Sequence, residues 1–225
     1  MIAKALRSRL FASGEVLDVT QVTPRMRRVR IAGESLAGLS WTPGQHVRVL
    51  VDGFLTLRTY SVWNHDPSWE SLELIAYDHG SDAPGNTWMR NVRPGVEVSF
   101  TRPEGRLVVR QDAPYHLFAG DETASVAFGP MLRALPAGAG VYGAVAAVHP
   151  EDHLDLDPEL VRVVPSALLE TVGSLGLPDE PGVAYLAGEA RTVQAIRAHL
   201  VNQRGWPRRN VLTKPFWAPG KRGLD

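Results

Sequence analysis

The chain has 225 residues, 44% of them hydrophobic and 21% charged, with 24 basic and 24 acidic side chains in exact balance. That is the composition of an ordinary globular protein of one or two domains with a proper core. Cysteine is absent, which removes disulfides, thiolate nucleophiles, iron–sulfur clusters and cysteine zinc sites together. No apolar run approaches the ~18 residues needed to span a bilayer. Met1 to Phe11 lacks the uninterrupted apolar stretch of a secretory signal, so a soluble, cytoplasmic protein is expected.

In chain order, the first half reads as strands. Gly14 to Val22, Met26 to Ile31, His46 to Val51, Thr59 to Trp63, Ser71 to Tyr77 and Val96 to Phe100 are short and rich in β-branched or aromatic residues. Turn signals separate them at Thr23-Pro24, Thr42-Pro43-Gly44, Asp52-Gly53, His65-Asp66-Pro67 and Arg93-Pro94-Gly95. Such spacing indicates an antiparallel sandwich or barrel. One helical piece, about Gly85 to Asn91, interrupts it. The basic run Arg25, Arg27, Arg28 and Arg30 is assigned by strand alternation to a solvated face.

The second half changes period. Apolar runs at Tyr115 to Ala119, Val141 to Val148, Val161 to Pro165 and Val183 to Ala187 alternate with helical stretches at Ser125 to Leu135, Ser166 to Leu175 and Thr192 to Arg204. In the last of these, Val193, Ile196 and Leu200 share a face and Gly205 supplies a stop. Val211 to Thr213 closes the series as a strand. Alternating strands and helices predict a parallel sheet wrapped by helices, with a domain boundary near Gln111 to Pro114. The expected architecture is therefore an antiparallel barrel over 1–112 and an α/β domain over 113–225.

Zero net charge hides an uneven distribution. Ala113 to Glu189 holds 2 basic and 11 acidic residues, a net of −9, while Ala190 to Asp225 holds 8 basic residues against one acidic, a net of +7. Either the two segments neutralise each other by packing, or the basic end faces an anionic ligand. No nucleic-acid fold accompanies the basic residues. His149 and His153 sit in an acidic loop that reads as solvated surface, and no metal site is expected.

Arg58-Thr59-Tyr60-Ser61 ends a strand of the barrel half. Alternation puts Arg58 and Tyr60 on one face, with Thr59 and Ser61 on the other. Arginine offers a bidentate clamp for phosphate, tyrosine a flat face for an aromatic ring, and serine a hydroxyl for a ring nitrogen. Tyr77-Asp78-His79-Gly80 follows, and then Ala83 to Trp88 opens a short helix. Its first-turn amides are a natural seat for a pyrophosphate; a plain loop with Asn86 or Thr87 as N-cap is the structural alternative.

With these motifs the sequence resembles the siderophore-interacting proteins of the ferredoxin-reductase superfamily. The markers run in order: Arg58 to Ser61, His79-Gly80 with Gly85 to Trp88, Gly120 to Ala124, Tyr185 to Ala190, and Phe216-Trp217. The resemblance implies an antiparallel Greek-key flavin-binding barrel joined to a nucleotide-binding α/β domain. It also implies FAD-dependent reduction of ferric siderophores, with NADPH, NADH or ferredoxin as donor. Under it, Arg58 holds an FAD phosphate, Tyr60 lies against the isoalloxazine and Ser61 sits near its reactive nitrogen, with Thr59 between them. His79, Gly80, Gly85, Asn86 and Thr87 line the pyrophosphate and adenine side. The family motif usually has threonine at Ser61 and a second arginine two residues later; here that residue is Trp63, which is expected to stack on the adenine.

Gly120, Asp121, Glu122 and Thr123, between a strand and a helix, occupy the expected place of a nicotinamide pyrophosphate. Gly188 and Glu189 lie on the same rim. Asp121, Glu122 and Glu189 put carboxylates where phosphates would approach, although an acidic residue also suits a helix N-terminus. Hydride and electron transfer need position more than an acid–base pair, so no catalytic base is nominated. Lys214, Lys221 and Arg222, with the cofactor-binding candidate Trp217 nearby, are the candidates for shaping the pocket of an anionic ferric siderophore or the mouth of the flavin cleft. The chain is expected to act as a monomer. A general flavin or electron-transfer reductase, and a binding module without turnover, are the competing readings.

Overall fold

Apolar side chains at alternate positions can all turn inward only if the strands that carry them close on themselves. In the computed structural model, which describes residues 11–52 and 56–221, the first half does this with six antiparallel strands: β1 (Phe11–Thr23), β2 (Met26–Ala32), β3 (His46–Leu50), β4 (Leu57–Asp66), β5 (Ser71–Tyr77) and β6 (Glu97–Thr101). They form a closed barrel in the order β1-β2-β5-β4-β3-β6. β3, β4 and β5 are successive neighbours and β6 returns beside β3, a Greek-key connection. Closure leaves no strand edge exposed. Val16, Val29, Ile31, Val47, Val49, Val62, Leu72, Leu74 and Phe100 fill the interior and are buried. Each such burial contributes roughly 1.5–3 kcal/mol.

Helix α1 (Pro84–Asn91) lies between β5 and β6. Pro84 starts it without losing a hydrogen bond, since a helix's first amides have no internal acceptor. Met89 is buried and Trp88 packs against the barrel core. The helix is tied to the end of β5 by a bidentate pair: Arg90 donates from Nε to Asp78 Oδ2 at 2.7 Å and from Nη2 to Oδ1 at 2.8 Å. Asp78 Oδ1 also accepts from the Gly80 amide at 2.8 Å.

The division between units falls at Gly105/Arg106, ahead of the 112/113 boundary expected from the sequence. The reason is packing: Leu107 is buried in the second unit's core with Val109 against it. The second unit comprises β7 (His116–Asp121), α2 (Glu122–Arg133), β8 (Val141–Ala146), β9 (Val161–Val163), α3 (Leu168–Ser174), β10 (Val183–Glu189), α4 (Ala190–Ala198) and β11 (Val211–Trp217). Its five strands are all parallel, in the order β11-β10-β7-β8-β9. β7 is buried along its whole length, as a central parallel strand covered on both faces must be. Leu117, Ala119 and Leu186 face a core shared with Leu168, Val172, Val193 and Ile196, whereas Phe118 and Tyr185 face one shared with Phe128 and Met131.

Several elements have other ends than expected: β4 runs Leu57–Asp66, so Arg58 to Ser61 lies at the start of its strand and not at its end, and β11 continues past Thr213 to Trp217. α2 begins at Glu122 rather than Ser125, because Asp121 caps it. The last helix changes at His199 to a π-turn running to Gln203, and Gly205, at φ +70°, ends it. Among the described residues no helix is long and apolar enough to cross a membrane. Residues 1–10, 53–55 and 222–225 lie outside the description. They include most of the N-terminal segment, Gly53 of the expected turn and the candidate Arg222.

The hydrogen bond from Arg90 leads the effects that hold the Asp78 carboxyl below its ordinary pKa, with burial opposing and the Gly80 amide adding to it. A depressed carboxyl contributes stability above its unfolded-state pKa, near 4, and loses it as pH falls through the lower folded value. Asp78→Asn is therefore expected to be less stable than the parent at neutral pH, with the difference shrinking as pH drops below about 4. Urea midpoints measured from pH 7 to pH 2 check this.

Candidate functional site

The barrel's contribution to a site is built by the pairing of β3 with β4. The register sets Val49 opposite Arg58, Val47 opposite Tyr60, Arg48 opposite Thr59 and His46 opposite Ser61. Directly paired residues share a face. Arg58 and Tyr60 are thus on the side of the buried Val47 and Val49, and Thr59 and Ser61 on the other. Tyr60 packs against the barrel core with its ring centroid 5.2 Å from that of Trp88. Its hydroxyl donates to the Gly85 carbonyl at 3.1 Å. Burial pushes the Tyr60 hydroxyl far above its usual pKa, against a smaller opposing effect of the Arg58 charge, so it stays a neutral donor.

Arg58 anchors Nη1 on the Leu57 carbonyl at 2.8 Å. Its aliphatic stem lies over Gly85, where a Cβ would stand 3.3 Å from Arg58 Cγ and 3.1 Å from Tyr60 Oη. Arg58, Tyr60 and Gly85 therefore meet at the start of α1. No side chain caps this helix start: Ala83 is the N-cap residue and makes no side-chain bond, and Pro84 has no amide hydrogen. Neither Asn86 nor Thr87 is the N-cap. Asn86 is buried, and its Nδ2 donates to the Ser81 carbonyl at 3.2 Å and to Ser81 Oγ at 3.0 Å. Thr87 is exposed, and its amide turns back to the Ala83 carbonyl at 3.0 Å. Asn86 thus organises the loop before the helix. His79 and Gly80 lie in that exposed loop, with the His79 ring edge-on to Tyr77 at 4.9 Å. Trp63 sits where the β4–β5 pairing shifts register between Val62 and Asn64.

One residue of this cluster is not marked in the sequence. His46 is buried, directly opposite Ser61, with Nε2 3.9 Å from Glu104 Oε1. Arg48 Nε reaches the same Glu104 oxygen at 3.0 Å. Only the register of β3 against β4 brings His46 to Ser61, and no local motif carries that information.

In the second unit the candidate rim residues converge on one carboxylate. The strand order reverses between β7 and β10, the switch point at which open α/β sheets bind ligands. Asp121 ends β7 there and is buried. Its Oδ1 accepts from the Thr123 amide at 2.9 Å, the Thr123 hydroxyl at 2.5 Å and the Ala124 amide at 3.3 Å. Its Oδ2 accepts from the Glu189 amide and from Trp217 Nε1, each at 2.8 Å. Asp121 thus caps α2 and joins the ends of β7, β10 and β11.

Gly188, at φ +108°, has the carboxylate where a Cβ would be, 2.5 Å from Asp121 Cγ. Gly120 is equally constrained, since its Cβ would lie 2.4 Å from the Ala187 carbonyl oxygen. Glu189 repeats the arrangement at α4, accepting from the Arg191 amide at 2.9 Å and from the Thr192 amide and hydroxyl at 2.7 and 2.9 Å. Burial raises the Glu189 pKa, but those bonds and the Arg191 charge outweigh it and hold the group below the usual carboxylate range. Glu122 is buried in the first turn of α2. Lys214, opposite Ala187 in β11, is half-buried, and Lys221 is exposed.

Residues 113–220 match the family model described as siderophore-interacting protein. This part of the chain is a siderophore-interacting-protein domain. The family expected from the motifs is the one that matches. Over 234 aligned residues the chain is 27% identical to the ferric vibriobactin reductase ViuB of Vibrio cholerae, covering 89% of this chain and 86% of ViuB. The siderophore-interacting protein SipS from Aeromonas hydrophila has a similar structure, with TM-score 0.84, 23% identity and coverage of 95% and 93%. So does the flavohaem-like FAD/NAD-binding domain of nitric oxide dioxygenase from Vibrio cholerae, with TM-score 0.74, 17% identity and coverage of 92% and 98%. The barrel followed by a parallel-sheet domain is the fold that these solved structures share.

Asp121→Ala removes a helix cap and takes the acceptor from the part-buried donors Glu189 N and Trp217 Nε1, an expected loss of roughly 2–3 kcal/mol. Asp121→Asn, which keeps one carboxamide oxygen, should fall between the two. Gly188→Ala should destabilise comparably by displacing the same carboxylate. Denaturant titrations compare the three variants, and Asp121→Ala at parental stability would refute the staple.

Proposed function

We propose that the chain is an FAD-dependent oxidoreductase that reduces ferric siderophores. The observation that carries the flavin half is a contrast among helix starts. α2 and α4 are closed by Asp121 and Glu189, and α3, also without a capping side chain, continues directly from the turn Pro165–Ala167, whereas α1 has no capping side chain and opens beside Arg58, Tyr60 and Gly85. An uncapped helix N-terminus next to a guanidinium fits a diphosphate, and the neutral, half-buried Tyr60 offers an aromatic face at the same corner. Bound FAD supplies two-electron acceptance from a donor and one-electron delivery to ferric iron.

The chain's own residues hold and orient. Arg58 and the first turn of α1 take the diphosphate, Tyr60 supports the ring system, and the Ser61 hydroxyl, with Thr59 beside it on the strand, serves the ring's polar edge. His79, Gly80, Asn86 and Thr87 border the diphosphate and adenine side, and Trp63 supplies a stacking surface for the adenine. Lys214 and Lys221 provide positive charge for an anionic ferric chelate. Similarity to ViuB, a ferric vibriobactin reductase, supports this choice of acceptor.

A second reading of the donor rests on the same contrast. The amides of Thr123, Ala124, Arg191 and Thr192 are already taken by Asp121 and Glu189, so they do not offer themselves to a dinucleotide diphosphate. This favours an electron-carrier protein such as ferredoxin over NADPH or NADH.

The protein is expected to hold FAD with a flavin absorbance spectrum. Arg58→Ala should weaken that binding about 10- to 100-fold, the loss of one charge-assisted contact. Anaerobic addition of NADH, NADPH or reduced ferredoxin, followed by a ferric siderophore, should bleach and then restore the spectrum. Failure to bind FAD overturns the proposal. Replacing Lys214 and Lys221 by alanine should raise KM for an anionic ferric chelate more than for a neutral one, and equal effects would remove both lysines from the acceptor site.

A further inference from the structure

One residue of the barrel site has no task in the function proposed above. His46, at the start of β3, pairs with Ser61 of β4 and shares its face. Both are buried, His46 at 6% and Ser61 at 9% exposure. The segment that follows β6 covers the imidazole. His46 N donates to the Glu104 carbonyl and Glu104 N to the His46 carbonyl, each at 2.9 Å. Gly105, at φ +121°, then lies against the ring: a Cβ there would stand 2.8 Å from His46 Nδ1 and 2.9 Å from Cε1.

Glu104, from that segment, and Arg48, two residues along β3, are the charged groups that meet at this imidazole. On β4 the same face presents the hydroxyls of Thr59 and Ser61. Glu104 holds Oε1 3.9 Å from His46 Nε2 and 3.0 Å from Arg48 Nε, and its side chain is half exposed. At 3.9 Å a neutral imidazole and a carboxylate make no hydrogen bond. A proton on Nε2 turns the same contact into an ion pair, and an anionic neighbour favours that charged form. Two effects oppose it. Burial disfavours the imidazolium, and Arg48 already claims the same carboxylate oxygen. Attraction and cost are set against each other, so one further negative charge nearby is enough to tip the protonation state. Packing alone does not call for this arrangement, since an apolar side chain would fill the space under Gly105 without a carboxylate over it.

We propose that His46 takes up a proton when the flavin beside Ser61 is reduced. The inference rests on the proposed seat of the ring's polar edge at the Ser61 hydroxyl. Two electrons from the donor and one proton leave the bound ring one negative charge richer. His46 Nε2 then binds a second proton, drawn from solvent past the half-exposed Glu104, and the imidazolium offsets that charge. When the ferric acceptor removes the electrons, the proton returns to solvent. Directly paired residues have Cβ atoms about 4.5–5.5 Å apart, so charge at the ring edge served by Ser61 acts on His46 over a short path. Burial, which costs the imidazolium while the flavin is oxidised, strengthens the attraction once the ring is charged. His46 thus compensates charge and touches no reacting atom.

Two measurements on the FAD-loaded full chain test this. The first is the midpoint potential of the bound flavin, read by spectroelectrochemistry from about pH 5.5 to 8.5. Each proton taken up with two electrons changes the reduction equilibrium tenfold per pH unit, about 30 mV. The ring's own protons appear in parent and variant alike, so their difference is what counts. The parent should be steeper than His46→Gln by up to one such proton over part of the range, and Glu104→Gln should move the steep part to lower pH. The second is the imidazole NMR titration of His46, assigned through the backbone. It should show the proton held at least threefold more tightly with the flavin reduced than with it oxidised.

A protein without a flavin spectrum overturns the seat at Ser61, and this proposal with it. A flavin-loaded parent whose potential runs parallel to that of His46→Gln, or a His46 titration that is the same in both redox states, overturns this proposal alone. Should His46→Gln not fold, the half-exposed Glu104→Gln and the titration of the parent still decide it.

Discussion

The Asp121 carboxylate is the point through which the second unit's ligand rim is organised. Five donors from four residues converge on it, and they come from the helix after β7 and from the ends of β10 and β11. A buried carboxylate with that many partners fixes every element it touches, because any shift would leave it unsatisfied in a low-dielectric site. It explains why Gly188 has no side chain and stands at positive φ: the carboxylate occupies that volume. It also explains why Trp217, near the end of the chain, is held by its indole nitrogen. At the switch point, where a doubly wound sheet ordinarily offers free helix amides to a ligand, this chain has used them internally.

The barrel is organised on the opposite principle. There the helix start is left uncapped, and the charge beside it is the cationic Arg58, so that both would attract an anion. Gly85 lets the tyrosine hydroxyl and the arginine stem approach the helix backbone, and the Asp78–Arg90 pair fixes α1 to the end of β5. A helix start open beside a cation, and two closed by their own anions, are what the proposed seat of the diphosphate at the barrel rests on.

Most of this architecture is legible in the sequence because it rests on local rules. Period-two alternation, turn residues and period-3.6 faces place the strands and helices, and the order of motifs identifies the family. What is not legible depends on partners distant in sequence. Asp121 reads as a helix cap, but its bonds to Glu189 and Trp217 cross the sheet. Asn86 reads as a cofactor contact, and the bonds of its buried amide to Ser81 are not visible in the sequence. His46 carries no motif and acquires meaning only opposite Ser61. The arginine run from Arg25 to Arg30 reads as one solvated face, whereas Arg25 lies in the turn before β2 and Arg27 falls on the side of Val29 and Ile31, opposite Arg28 and Arg30. Leu107 reads as part of the barrel because its core partners, Phe118 and Tyr185 among them, come later in the chain.

The uneven charge of the second unit can now be divided between the two accounts of it. Part is internal: Asp121 and Glu189 are consumed as caps, Arg162 pairs with Asp155 at 3.3 Å, and Arg204 donates to the Gly173 and Leu175 carbonyls at the end of α3. These groups serve the fold, and their charges need no external partner. Lys214 and Lys221 stand apart from that set, one half-buried on the edge strand β11 and one exposed beyond it. A half-buried lysine on an edge strand both discourages strand-to-strand association and keeps a cation at the surface. Charge asymmetry along a sequence thus overstates what a ligand could use. The part that bears on anion recognition in this unit is the basic residue left over once the helix ends have been satisfied.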